Sequence, residues 1–164
     1  MNAYSFILTT ALTLLSLIGL SQNTLQTGDL APFVGEWTGS LTYLDYSTNE
    51  PYTMPANLLV EQGKNANELQ LNVSYPKEPG ANSKGTMRLS KDGKELNKER
   101  IVSVERLSNG ELTFSVVKNG KDDNKKATIK TTYRVGPSTL VYRKEVQFKG
   151  TDTWILRNEY SYKR

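Results

Sequence analysis

The chain has 164 residues, 21 of them basic and 17 acidic for a net charge of +4, and contains neither cysteine nor histidine. Disulfides, cysteine-linked lipid, Ser–His and Cys–His nucleophiles and Cys/His zinc sites are therefore excluded, and any acid–base chemistry would fall to carboxylates, Lys, Arg or Tyr. Lys118, Lys121 and Lys125 alternate with Asp122 and Asp123, and the other basic residues are similarly interspersed. This is a solvated mixed-charge surface, without the dense basic stripe of a nucleic-acid interface.

Residues 1–21 carry no charged side chain. The stretch from Phe6 to Leu20 is apolar with Thr and Ser interspersed, and too short to cross a bilayer. Gly19 and Ser21 are small residues at −3 and −1 of a cut after Ser21, the pattern of a secretory signal. An uncleaved anchor helix is the alternative. Export without cysteines suggests a bacterial periplasmic or secreted protein, with no membrane span once the signal is removed. Residues 22–31 are polar and small, a linker or a lid, and residues 32–164 form the folded domain.

From Pro32 onward, apolar alternation of period two recurs with turn signals about every ten residues, which predicts an all-β fold. The first strand spans about 33–46. Phe33, Gly35, Trp37, Gly39, Leu41 and Tyr43 share one face of it. The second spans about 52–62, with Tyr52, Met54, Ala56, Leu58 and Val60 on one face; Pro55 marks an edge or a bulge. Leu69, Leu71, Val73 and Tyr75 define the third, and Met87 and Leu89 the fourth. Asp92-Gly93 is a hairpin turn. Between Lys94 and Leu107 no single alternation fits, so a bulge or two short strands are expected. Leu112, Phe114 and Val116 form the next strand, 119–124 a polar turn, and Ala127, Ile129, Thr131, Tyr133 and Val135 another strand.

In the last hairpin, Leu140, Tyr142, Val146 and Phe148 face Trp154, Leu156, Tyr160 and Tyr162 if Gly150, Thr151 and Asp152 form the loop. That register opposes Phe148 to Trp154, Val146 to Leu156 and Tyr142 to Tyr160. It also pairs Glu145 with Arg157 and Arg143 with Glu159 on the other face. Sequential strands with short turns pair as neighbours, giving an up-and-down antiparallel β-barrel of 8–10 strands.

Gly35-Glu36-Trp37 on a first strand, a long β-meander and a late arginine together resemble the lipocalin and wider calycin pattern. No middle motif of the Thr-Asp-Tyr kind is present, so the resemblance is to a divergent bacterial lipocalin-like protein. In that family the tryptophan closes one end of the barrel and an arginine packs across its indole. The resemblance therefore implies that Gly35, Trp37 and Arg157 close the barrel, with Arg143 as the second candidate arginine.

Inward-facing aromatics are the candidate ligand contacts. Tyr43, Tyr52, Tyr75, Tyr133, Tyr142 and Tyr160 lie on the apolar faces of their strands, joined by Met54, and combine apolar surface with a hydroxyl that needs a partner. Lys144, opposite Asn158 on the same face, is a candidate contact for a ligand carboxylate or a residue at the barrel mouth. Asp122-Asp123-Asn124 offers oxygen ligands without the spacing of a calcium loop, so no metal or cofactor is expected. The expected function is binding of a small, largely apolar molecule. The alternatives are an enzyme using Arg143, Glu145, Arg157 and Glu159 with a tyrosine, and an envelope interaction protein with a solid core.

Overall fold

The computed structural model describes residues 23–45 and 47–164. The proposed signal segment lies outside the described residues. A short 3₁₀ helix, Thr27–Phe33, leads into ten strands: β1 Gly35–Leu44, β2 Pro51–Gln62, β3 Glu68–Ser74, β4 Ser83–Arg88, β5 Glu95–Leu96, β6 Glu99–Arg106, β7 Leu112–Asp122, β8 Lys125–Val135, β9 Thr139–Phe148 and β10 Ile155–Lys163. They form one antiparallel sheet in the order β4-β3-β2-β1-β10-β9-β8-β7-β6-β5. The pairing of β1 with β10 makes the meander curl back on itself. Its two edges meet at a single bridge, Leu89 with Leu96, and the Asn97 N–H donates to the Arg88 carbonyl at 2.8 Å. The result is a nearly closed up-and-down barrel.

The region that fits no single alternation resolves into both expected features. Leu96 and Glu99 are joined by a two-residue turn with Asn97 and Lys98 at positive φ, and the β6–β7 register shifts between Ile101 and Ser103. Pro55 lies opposite Ser40 of β1, while β3 pairs with β2 only over Asn57–Gln62. The proline thus occupies a locally free edge, where its missing N–H has no ladder to break. The expected polar turn at 119–124 is much shorter: β7 runs on to Asp122, and Asp123 and Asn124, both at positive φ, make the turn alone. This is a tight hairpin of the kind Asp and Asn permit.

The last hairpin is half as predicted. Tyr142 opposes Tyr160, Lys144 opposes Asn158 and Arg143 opposes Glu159. Then a bulge between Leu156 and Asn158 shifts the rest by one residue, so that Val146 meets Ile155 and Glu145 meets Leu156. The extra residue is Arg157, and the shift turns it inward while leaving Leu156 exposed. The loop is longer than the predicted Gly150–Asp152 and runs over 149–154. Trp154 therefore does not meet Phe148; it lies under the Lys130 amine, 4.5 Å from the ring centroid.

One end of the barrel is packed solid. Trp37, Phe33 and Phe114 are its largest fully buried side chains. Part of the stretch read as a linker folds here. Leu25 and Leu30 are buried, the Leu25 N–H donates to the Gly93 carbonyl at 2.9 Å, and Arg106 forms an ion pair with Asp29. A second, smaller apolar cluster of Ala127, Ile129 and Val146 lies toward the other end of β8 and β9.

Candidate ligand cavity

The Trp37 end is built around one arginine. The Trp37 indole donates to the Phe33 carbonyl at 2.8 Å, and the guanidinium of Arg164 lies over its ring at 4.2 Å. Arg164 also donates to the carbonyls of Val34 at 2.8 Å, Pro137 at 2.9 Å and Pro32 at 3.3 Å. A planar cation can stack on an indole and satisfy the carbonyls around it at once. Gly35 has φ +135°, and a Cβ there would come within 3.1 Å of that guanidinium. The Gly-X-Trp spacing thus has a local cause: position 35 needs a conformation that L side chains avoid, and the arginine takes the space a side chain would fill.

Arg157 is not the arginine on Trp37. It lies beyond the other side of the core, donating from Nε to Asp122 at 2.7 Å, with its guanidinium 5.5 Å from the Phe148 ring. The bulge makes this possible, and neither the bulge nor the role of the last residue of the chain has a signal in the alternation.

Across the strands, register sorts the inward side chains into rows. Phe114, Tyr133, Tyr142, Tyr160, Leu41 and Met54 are successive cross-strand partners from β7 through β10 and β1 to β2. Their rings touch in sequence: Phe114 stacks on Tyr133 at 4.8 Å, Tyr133 meets Tyr142 edge-on at 5.2 Å, and Tyr142 meets Tyr160 edge-on at 5.7 Å. The Tyr75 and Tyr160 hydroxyls share a hydrogen bond of 2.7 Å across the interior. This aromatic belt lies next to the packed end.

The next row is polar: Thr131, Lys144, Asn158, Tyr43 and Tyr52 are successive partners. Tyr43 and Tyr52 pack against each other at the rim, where Tyr52 is 46% exposed. Lys144 approaches Asp122 at 3.3 Å, so two cations meet one carboxylate there. The Lys118 amine contacts Glu99 at 2.5 Å.

The wall is incomplete at this level. The β5–β6 turn at Asn97 and Lys98 stops short, whereas β7 continues through Lys118–Asp122 along β8 alone. Two interior cavities open onto this notch and meet at Asn97, Tyr133 and Tyr142. One, of about 350 Å³, is walled by Leu71, Gly85, Asn158 and Tyr160. The other, of about 440 Å³, is walled by Glu99, Lys118, Ile129, Thr131 and Lys144.

Of the expected contact residues, Tyr133, Tyr142, Tyr160 and Lys144 line these cavities. Tyr75 reaches them through the Tyr160 hydroxyl, Met54 is buried in the core, and Tyr43 and Tyr52 sit at the rim. Glu99, Lys118 and Gly85 also line the cavities without a signal in the alternation, and Asp122, expected in a solvated turn, is buried against Lys144 and Arg157. Asp122 was legible in principle, since it continues the period of Phe114 and Val116. Burial pushes the phenol pKa values of Tyr133, Tyr142, Tyr160 and Tyr162 above the ordinary value of 10. At neutral pH these groups are uncharged hydrogen-bonding partners.

The proposed catalytic group does not assemble. Arg143 pairs with Glu159 at 2.6 Å and Glu145 with Lys130 at 2.9 Å on the outer face, apart from the inward Arg157. Among the described residues no cluster of His, Cys, Asp or Glu could hold a metal ion.

No family model matches the sequence, and no curated protein matches it. Among solved structures the chain is similar to the crystal structure of Rv2717c from M. tuberculosis, with a TM-score of 0.57 and 12% identity over 84% of this chain and 95% of that one. At that identity the likeness is one of fold: a β-barrel, matched over nearly its whole length.

Proposed function

We propose that this protein is an exported, lipocalin-like barrel that holds a small, largely apolar molecule between the aromatic belt and the notch. The observation that carries the reading is the pair of interior cavities meeting at Tyr133 and Tyr142. Their sizes fall in the range of small-molecule sites, and their walls combine aromatic faces with a few convergent polar groups. A belt of neutral phenols supplies both at low conformational cost, because each ring is already fixed by its neighbours. A solid-core protein would have no reason to leave this volume beside Tyr133, Tyr142 and Tyr160. The uncharged apolar start of the chain supports delivery across a membrane, after which the mature chain would begin at Gln22.

Two measurements test this. Native mass spectrometry of the protein purified from its own cells is expected to show a bound species that is lost on denaturation. Titration with phenylnaphthylamine, a neutral apolar fluorophore, is expected to give saturable binding to one site. Absence of both would remove the container reading. Cell fractionation with N-terminal sequencing tests the export step, which fails if the isolated chain retains residues 1–21.

A further inference from the structure

We infer that the bound molecule is amphipathic, with an acid group seated against Lys144 and an apolar body lying on Tyr133, Tyr142 and Tyr160. This inference rests on the cavities being a ligand site and specifies the chemistry that they select.

Lys144 lies in the row next to the belt, between Thr131 and Asn158. Its side chain is 28% exposed and lines the larger cavity. Asp122, its carboxylate neighbour, is held by Arg157 at 2.7 Å, whereas Lys144 reaches Asp122 only at 3.3 Å. One carboxylate cannot neutralise two cations. Arg157, 9% exposed in its side chain and stacked on Phe148, is fixed in place. Lys144, on a flexible stem and open to the cavity, is the cation that can turn to an incoming anion while Asp122 keeps Arg157. Of the other two lysines lining the cavity, Lys118 is already matched by Glu99 at 2.5 Å, and Lys121 is exposed to solvent. In a partly enclosed space, a charge-assisted hydrogen bond to a second anion is stronger than a neutral one.

Asn158 gives an independent indication that the ligand is not purely apolar. Its Oδ1 is buried without a hydrogen-bond partner, and Asn158 lines the smaller cavity next to Tyr160. A buried acceptor without a donor is costly. A turn of the amide about its last torsion would bring that oxygen to the cavity, where an O–H or N–H of the bound molecule would satisfy it and a hydrocarbon would not. The neighbouring phenols, kept neutral by burial, add no negative charge to oppose the acid.

The test uses two fluorophores with the same body, anilinonaphthalene sulfonate and neutral phenylnaphthylamine, titrated into the full-length mature protein. The sulfonate is expected to bind about tenfold more tightly, as one charge-assisted contact would give. Lys144→Met, which keeps the stem and removes the charge, is expected to bring the sulfonate down to the level of the neutral probe. Lys144→Arg is expected to keep the preference. Equal affinities for the two probes in the wild-type protein, or a preference unchanged by Lys144→Met, would overturn the inference and leave the container reading intact. Failure of both probes to bind would instead remove the container reading, and the acid site with it. The wild-type comparison stands whether or not the Met variant folds.

Discussion

At the Trp37 end the inward residues are Trp37, Phe33, Leu112, Val135, Leu140 and Tyr162, all buried, and the end is sealed by Arg164. Past the tyrosine belt the same strands turn Thr131, Lys144, Asn158 and Asp122 inward, and the wall between β4 and β7 is missing. The difference lies in strand length more than in composition. Where β5 and β6 continue the ladder the interior is filled with apolar side chains. Where they stop, water can enter, and charged groups become affordable at inward positions. One end thus supplies stability and the other holds the cavities of the proposed site, a division expected where function requires groups that would weaken a core.

The largest expected effect tests whether the belt belongs to the dry end or to the wet one. Tyr133, Tyr142, Tyr160 and Tyr162 have phenol pKa values raised by burial, while an unfolded chain releases those protons near pH 10. Their contribution to stability is therefore complete below pH 10 and falls as the pH rises toward the raised values. Alkaline titration is expected to show phenolate absorbance of these residues appearing together with cooperative loss of near-ultraviolet circular dichroism. Gradual ionisation with the fold intact would place the belt in water and erase the boundary.

Trp37→Ala removes the plug itself. A fully buried indole truncated in a packed end is expected to cost about 3–5 kcal/mol, measured by urea denaturation. Gly39→Ala tests how closely the strands approach there. A Cβ at Gly39 would lie 1.9 Å from the Ser161 carbonyl oxygen, a backbone atom that moves only with β10. The expected loss is about 1–3 kcal/mol, the usual range for overpacking. If either substitution left the midpoint unchanged, the Trp37 end would not be the rigid half of the comparison.

The same contrast explains what the sequence revealed. Alternation read correctly that Trp37, Tyr133, Tyr142 and Tyr160 face one interior, because a period of two with one apolar face leaves only one register. The fold, the strand order and most of the packed end follow from that. What stayed hidden depends on single inserted residues and on ends. The bulge at Arg157 adds one residue without altering the neighbouring pattern, so Arg157 reads as outward and paired with Glu145. Arg164 has no strand partner in the pattern, and its role depends on where the barrel closes. The notch follows from the early turn at Asn97 and Lys98, and Lys98 is not a residue whose preferences announce positive φ. The candidate site was therefore half legible: its aromatic wall lies in the pattern, while its polar wall lies in the exceptions.

The smallest expected change in stability is also the sharpest test of the open half. Gly85 on β4 pairs with Leu71, which packs on the core, so a side chain at 85 would point the same way. A Cβ built there meets nothing within 4 Å, and Gly85 lines the smaller cavity beside Tyr133 and Tyr160. The strand backbone at Gly85 does not have positive φ, and aromatic residues suit strands. Gly85→Phe is therefore expected to keep the fold and to change unfolding free energy by no more than about 1 kcal/mol, the span of strand propensities. Its ring would take the space that a ligand body needs, so phenylnaphthylamine binding is expected to fall at least about tenfold, the equivalent of about 1.4 kcal/mol. This is the reverse of Gly39→Ala, where a single methyl group strains the strand pairing of the packed end. Undiminished probe binding by a folded Gly85→Phe protein would mean that the molecule does not enter through this side, and the notch would lose its functional meaning.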